Sequence, residues 1–343
     1  MFGGILSAVD VGRVKVLLNN RLTYATSVRQ IPNTISKETC TLLGATHVSE
    51  RALGRTVAKV GHAATLIIEN YQDLIKDDNR VDGNQNIDWS SVFFEGKKAA
   101  MAEYGYSRDK RPDKKRITFG ISTGINGVPS ALTIQNGNVK DKKHFNETYR
   151  MVKRISDRGA LFIFNAGANT GTNKERILDD GFNYLTLKPK TQCVYKRYIS
   201  QFKTSAKVQS KIGKKVYTEA KIFDGIEYQY VHFSKRLLED QLFKKQRKFE
   251  MELEKGNELM KKAAKKKAVN RYPSEKGWIE LYPELQRTLK WIENPYITGI
   301  EGFFILESSV DAEPEAMLRI YKQRDAAEKF VRNLKEGGGT TAD

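Results

Sequence analysis

The feature that most constrains the fold is an uninterrupted apolar run, Leu161–Phe164, which ends at the polar residue Asn165. Four consecutive apolar side chains predict a strand that is covered on both faces, as in the parallel sheet of an α/β protein. Helices are predicted on either side of this run, at 142–157 and 172–180, and a further strand is predicted at 184–187. The alternation predicts parallel strands that are joined by helices.

Three β-rich runs precede this segment, at 87–94, 116–122 and 128–135. Three antiparallel strands, then a helix, a parallel strand, a helix and a strand, form the element order of a ribonuclease-H-like fold. In that arrangement Asp88 on the first strand and Asn165 at the end of the fourth come side by side, where open α/β sheets bind their ligands. The expected fold class is therefore α/β, with a ribonuclease-H-like mixed sheet.

Residues 1–82 are predicted to form a mainly helical N-terminal region. One helix pair in this region carries Arg51, Arg55 and Lys59 on one side. This pattern fits either a DNA-binding helix-turn-helix or an ordinary helical bundle, and the sequence leaves both open.

A second segment interrupts the predicted sheet domain. Strands are predicted at 194–199, 216–223 and 227–233, and a long charged helix is predicted at 237–268. The predicted organisation is an N-terminal region at 1–82, a sheet domain in two parts at 83–190 and 298–336, an insertion at 191–297 and a tail at 337–343.

The charge of the chain indicates the kind of partner that it binds. The formal net charge is +18, which favours a polyanion such as DNA. No apolar run approaches the roughly 20 residues of a membrane span, and no cleavable leader is evident at the N-terminus. We therefore expect a cytoplasmic, nucleoid-associated protein with no membrane partner. The two cysteines, Cys40 and Cys193, are expected to be reduced core residues.

A polar pattern near the C-terminus, Tyr321-x2-Arg324-x3-Glu328-x6-Lys335, lies in a segment predicted to be one helix at 314–335. On a single helix these four residues share one face. A solvated Arg–Glu ion pair is one interpretation of part of the pattern. A carboxylate between two cations also suits phosphate chemistry, in which the carboxylate holds a metal and the cations hold the nucleic-acid backbone.

The four-residue pattern resembles the YREK signature of the DDE transposases of bacterial and archaeal insertion sequences. Further stretches are similar to that family: the first-acid strand, the basic loop, a Gly-Asn-x-x-Asp turn and the second-acid strand, at 87–96, 104–113, 137–141 and 162–169. A strand-rich insertion before the third acid is also a trait of the family.

The resemblance implies DNA transposition by strand cleavage and strand transfer, with Mg²⁺ or Mn²⁺ as the cofactor. It implies double-stranded DNA, at the terminal inverted repeats of a mobile element, as the partner, with a homodimer on DNA as one arrangement. It places catalytic residues at Asp88, Asn165 and Glu328, with Asp88 and Glu328 as metal ligands. The implied DNA-binding residues are Tyr321, Arg324, Lys335, Arg108, Lys110 and Arg111. Trp278 or Trp291 is either a core residue or a wedge that stacks on a flipped base.

Two departures from the family pattern predict impaired activity. Asn165 stands where the family has an aspartate, and an amide supplies no negative charge to a metal. The sequence also ends eight residues after Lys335, so we expect a truncated C-terminus. Whether the chain is still an enzyme is left open. A catalytically inactive DNA-binding remnant or regulator is the alternative, and a nuclease unrelated to transposition is a third hypothesis.

Overall fold

The computed structural model describes residues 2–78, 80, 83–94, 99–106, 111–124, 126–267 and 293–336. They belong to two compact units, each described here by itself. Unit 1 comprises Met1–Leu187 and Arg319–Asp343, and unit 2 comprises Lys188–Leu318.

The N-terminal region of unit 1 is mainly helical, and five helices are described in it. They are α1 (Ala8–Thr23), α2 (Ile31–Thr34), α3 (Lys37–Leu42), α4 (Glu50–His62) and α5 (Ala64–Asp77). The buried carboxylate of Asp10 ties α1 to α4, because its oxygens accept hydrogen bonds from Thr56 Oγ1 at 2.8 Å and Lys59 Nζ at 2.6 Å. Lys59 is thus part of an internal ion pair.

The sheet of unit 1 has five described strands. They are β1 (Asn84–Phe93), β2 (Arg116–Thr123), β3 (Pro129–Asn136), β4 (Leu161–Phe164) and β5 (Asn183–Leu187), in the spatial order β3-β2-β1-β4-β5. Strands β1, β2 and β3 pair antiparallel, and β4 pairs parallel with both β1 and β5. Helix α6 (Asp141–Lys153) lies between β3 and β4 in the chain, and α7 (Gly171–Asp179) lies between β4 and β5. This mixed α/β arrangement has the predicted order of elements.

One face of this sheet forms a large aromatic core with α6. Trp89, Phe145, Tyr149 and Phe162 are almost completely buried in it. At its centre the Trp89 indole N–H donates to Thr148 Oγ1 at 3.2 Å. The burial of these large rings provides the main stabilisation of the sheet on this face.

Unit 2 contains a helix, an antiparallel meander and a long helix. Its elements are α8 (Gln192–Thr204), β6 (Val208–Ile212), β7 (Lys215–Phe223), β8 (Tyr228–Phe233), α9 (Lys235–Lys267) and β9 (Phe303–Ser308). The strands follow the spatial order β6-β7-β8-β9 with antiparallel pairing. The sequence interpretation missed β6.

The predicted strand at 194–199 is wrong, since this segment belongs to helix α8. Tyr195, Tyr198, Ile199 and Phe202 are its buried residues. Their offsets of 3, 4 and 7 follow the period of a helix, which places all four on one face.

The predicted single helix at 314–335 is also wrong. The chain forms α10 (Pro314–Lys322) and α11 (Asp325–Glu336), with a turn at Gln323 and Arg324. In this turn the amides of Gln323 and Arg324 bond to carbonyls three residues back, and a new helical ladder starts where Glu328 N donates to Arg324 O at 3.2 Å. The four polar residues therefore do not share the face of one helix.

The compact units divide at 187/188 and 318/319, whereas the sequence predicts boundaries at 190/191 and 297/298. Strand β9 falls in unit 2 because it pairs with β8. The functional assignment of each domain stays a prediction. Among the described helices, none has the length and apolar character that crossing a membrane requires.

Candidate functional site

Asp88 is the first component of the candidate site. It lies in the middle of β1 between Ile87 and Trp89, both of which are buried, and its own side chain is 14% exposed. One oxygen, Oδ1, accepts hydrogen bonds from Arg324 Nη1 at 3.0 Å and from Asn165 Nδ2 at 3.1 Å. A carboxylate in this partly buried position needs such partners, because an unpaired buried charge is costly.

Asn165 follows β4 directly and reaches Asp88 because β1 and β4 are parallel neighbours. Its amide NH₂ donates to Asp88, while its Oδ1 accepts from the backbone N–H of Gly167 at 2.8 Å. Both ends of the amide are therefore engaged within the protein. The oxygen that could face a metal is turned towards the backbone.

Arg324 lies in the turn between α10 and α11 and joins two carboxylates. Its guanidinium donates to Asp88 and also to Glu328 on the first turn of α11. The Arg324 side chain is 13% exposed and that of Glu328 is 44% exposed. Burial acts to lower the pKa of Arg324, but Tyr321, Asp88 and Glu328 outweigh it and the pKa is raised. Arg324 is therefore a permanent cation between the two acids.

Tyr321, on the last turn of α10, supports Arg324 from one side. The Arg324 Cζ lies 5.5 Å from the centre of the Tyr321 ring, within the range of a cation–π contact. Burial raises the pKa of the Tyr321 hydroxyl. In this arrangement Tyr321 contacts the predicted phosphate-binding arginine.

A cavity of about 930 Å³ opens beside these groups. Its lining includes Asp88, Asn165, Arg324 and Glu328, together with three residues that the sequence interpretation did not assign as site residues: Tyr104, Tyr106 and Asp141. Asp141 is the first residue of α6. Its carboxylate lies beside the loop that follows β4, since a Cβ built on Gly167 would be 2.6 Å from Asp141 Oδ2. The Gly-Asn-x-x-Asp motif at 137–141, which ends at Asp141, is the sequence feature that could have identified this residue.

The donor set does not fit a two-metal site. Such a site needs about three carboxylates from separate elements around ions roughly 3.5–4 Å apart. Here Asp88 and Glu328 share one arginine, and the Asn165 oxygen bonds to the backbone. Within the described part of the chain, no group of three or more His, Cys, Asp or Glu residues is placed to hold a metal ion.

The chain is similar to a piggyBac transposase. The match is to the cryo-EM structure of its synaptic complex with hairpin DNA, with a TM-score of 0.42 and 10% sequence identity. The alignment covers 94% of this chain, and this chain spans 58% of the piggyBac chain. At this TM-score the similarity carries no argument for fold or function. No protein-family model matches the sequence, and no curated protein matches it.

The remaining predicted DNA-binding residues are placed away from the cavity or outside the described residues. Arg111 pairs with Asp113 at 2.9 Å and lies 5.4 Å from the centre of the Phe93 ring. It is not among the residues that line the cavity. Outside the described residues lie Arg108, Lys110, Trp278, Trp291 and the side chain of Lys335.

Proposed function

We propose that this chain is a transposase-like, DNA-binding protein of the DDE class, in the branch with the YREK signature. Its partner is double-stranded DNA at the terminal inverted repeats of a mobile element, and its strand-cleavage site is impaired. A homodimer on DNA and a nucleoid-associated, cytoplasmic location belong to the same proposal.

The main support for this proposal is that residues far apart in the chain lie in contact with each other. Asn165 bonds to Asp88 across 77 residues, and Arg324 bonds to Asp88 across 236 residues. The three acid positions that the resemblance assigns are thereby brought to one cavity. The order β3-β2-β1-β4-β5, with Asp88 on β1 and Asn165 directly after the adjacent parallel strand β4, also supports a ribonuclease-H-like assignment.

Impairment follows from the charges in the site. A third carboxylate would have to be balanced by cations, which is the task of divalent ions in two-metal phosphoryl transfer. With an uncharged amide at 165, the negative charges of Asp88 and Glu328 are offset mainly by the positive charge of Arg324. The site therefore lacks the negative charge that would hold a second ion.

A catalytically inactive DNA-binding regulator, which competes for element ends, is the second candidate. The pairing of Arg324 with both carboxylates favours it, because this arrangement satisfies the acids without a metal. Residual Mn²⁺-dependent cleavage separates an impaired enzyme from an inactive regulator.

The test uses duplexes taken from the DNA that flanks this reading frame, with unrelated duplexes of equal length. We expect the chain to bind duplex DNA and to nick it at most slowly in the presence of Mn²⁺. Slow nicking that Asp88→Asn abolishes would identify an impaired enzyme, and nicking no faster than that variant would identify the inactive regulator. Robust Mn²⁺-dependent nicking that Asp88→Asn abolishes would refute the impaired site. Failure to bind any duplex would refute the proposed function itself.

A further inference from the structure

An unusually basic segment surrounds helix α8 in unit 2. Between Asp180 and Glu219 the sequence contains no acidic residue and nine basic ones. These are Lys188, Lys190, Lys196, Arg197, Lys203, Lys207, Lys211, Lys214 and Lys215. In a chain with 41 acidic residues among 343, such a gap concentrates positive charge in one part of the molecule.

Helix α8 presents part of this charge on one face. Cys193, Lys196, Ser200 and Lys203 are all exposed and follow each other at offsets of 3, 4 and 3, which places them along one side of a helix. We call these four residues the α8 basic face. Lys196 and Lys203 are two turns apart, roughly 10 Å along the axis.

The lysines of the α8 basic face differ in their ion pairing from other cations of the segment. Other cations of the segment have internal partners: Lys188 pairs with Glu307, and Arg197 donates to the Tyr198 hydroxyl. Among the ion pairs in the part of the chain that the structure describes, none includes Lys196 or Lys203. Their charges are therefore available to an external anion.

We propose that the α8 basic face binds the phosphate backbone of duplex DNA, an inference that rests on the proposed function. Two lysines at this spacing bind phosphates as point charges, and the Ser200 hydroxyl between them is a further donor to phosphate oxygen. An anionic membrane is the less suitable partner. A helix that binds membranes inserts apolar side chains, whereas Tyr195, Tyr198, Ile199 and Phe202 of α8 are buried in the protein.

The native cysteines allow a direct test on the unmodified chain. Cys193 is exposed on the α8 basic face, so the expectation that it is a core residue is wrong, whereas Cys40, the only other cysteine in the sequence, lies on α3 and is half-buried. Each is alkylated with a maleimide, with and without a duplex of unrelated sequence, and quantified by mass spectrometry. We expect DNA to slow the alkylation of Cys193 at least about fivefold and to leave Cys40 unchanged.

Charge variants supply a second measurement. The double variant Lys196→Gln, Lys203→Gln is compared with Lys255→Gln, Lys262→Gln, which removes the same charge at the same seven-residue spacing from exposed positions of α9. Each neutralised phosphate contributes about 0.9 to the slope of log affinity against log salt. We expect the α8 variant to flatten this slope by roughly 1.8 and the α9 variant to flatten it by much less.

Several results would overturn the inference. If both double variants flattened the salt slope equally, DNA affinity would depend only on the net charge of the chain. An unprotected Cys193 on a chain that binds DNA would place the DNA elsewhere and would leave the proposed function intact. Protection by anionic vesicles and not by DNA would identify a membrane as the partner. A chain that binds no duplex would overturn both proposals.

Discussion

At the scale of single residues, the amide of Asn165 contacts two different partners at its two ends. Its nitrogen donates to Asp88 and its oxygen accepts from Gly167 N–H. An aspartate at 165 could keep the bond to Gly167, but it would place a second carboxylate against Asp88. Like charges at this distance destabilise the fold unless a cation lies between them.

The Asn165→Asp variant should consequently make stability dependent on divalent ions. We expect its melting temperature to fall in EDTA and to rise with Mn²⁺, whereas the parent shows little response. The control Asn183→Asp makes the same charge change at the start of β5, where the Asn183 amide bonds to Gly159 O. A response to Mn²⁺ that is equal in parent and variant would refute this assignment of residue 165.

Arg324 is expected to contact the DNA backbone rather than the bases, and so is Lys335. The Arg324→Ala and Lys335→Ala variants should weaken binding to all duplex sequences to a similar extent and flatten its salt dependence. Arg332→Ala, at an exposed position of α11, is the control for Arg324→Ala. If Arg324→Ala binds as tightly as the parent throughout a salt titration, the assignment is wrong.

The proximity of Asp88 and Asn165 could be predicted from the sequence, because the order of strands and helices is that of a ribonuclease-H-like fold, in which β1 and β4 are neighbours. Asp141 could not be recognised in the same way. Its carboxylate lies beside Gly167, in the loop that follows β4. Such proximity between a helix start and a loop depends on packing in three dimensions, which a local pattern does not describe.

At the scale of elements, the centre of β2 is packed without spare volume. A Cβ on Gly120 would lie 2.4 Å from Thr148 Oγ1 and 2.8 Å from Trp89 Nε1. We expect Gly120→Ala to lower the free energy of unfolding by about 1–3 kcal/mol, measured by urea denaturation. Gly54→Ala in α4, where a Cβ meets nothing within 4 Å, should instead be neutral or stabilising by up to about 1 kcal/mol. Equal effects of the two substitutions would contradict this account.

The segment before β9 is held to α9 by Glu301. Burial acts to raise the pKa of Glu301, but hydrogen bonds from Lys245 and from the Thr298 backbone and hydroxyl outweigh it and bring the pKa to about 2, below the ordinary value of 4.5. A lowered folded-state pKa stabilises the fold above the unfolded-state value, and this stability is lost as the pH falls through the folded value.

Glu301→Gln should therefore be less stable than the parent near neutral pH. The difference should shrink as the pH falls from about 4.5 towards 2. Thermal melts across this range measure the effect, and Glu258→Gln at an exposed position of α9 is the control. A stability difference that stays constant down to pH 2 would exclude the linkage.

Two element predictions failed for different reasons. The window 194–199 predicts a strand because it is shorter than two helical turns, and the helical spacing becomes clear only when Phe202 is included. The turn between α10 and α11 contains no Gly or Pro that would mark it. Its Arg324 side chain bonds to Asp88, 236 residues away, and no local pattern contains that contact.

At the scale of the whole molecule, the net charge of +18 predicts binding that is steeply salt-dependent and largely independent of sequence for unrelated duplexes. Log affinity should fall linearly with log salt, because each contacted phosphate releases counterions. Fluorescence anisotropy with several duplexes of equal length provides the measurement. Affinity that is insensitive to salt would mean that the charge is not used for DNA.

Because Arg324 follows Asp88 by 236 residues, the site is completed late in the translation of the chain. All five strands of unit 1 precede residue 188, whereas Arg324 is translated 236 residues after Asp88. At ribosomal speeds of about 5–20 residues per second, the interval is on the order of 10 to 50 s. For the last 137 of these 236 residues, from the end of β5 at Leu187 to Arg324, the nascent chain has the five strands and Asn165 but neither Arg324 nor Glu328. A ribosome that terminates between Leu187 and Arg324 therefore releases a protein that has Asp88 and Asn165 but lacks the arginine that pairs with Asp88.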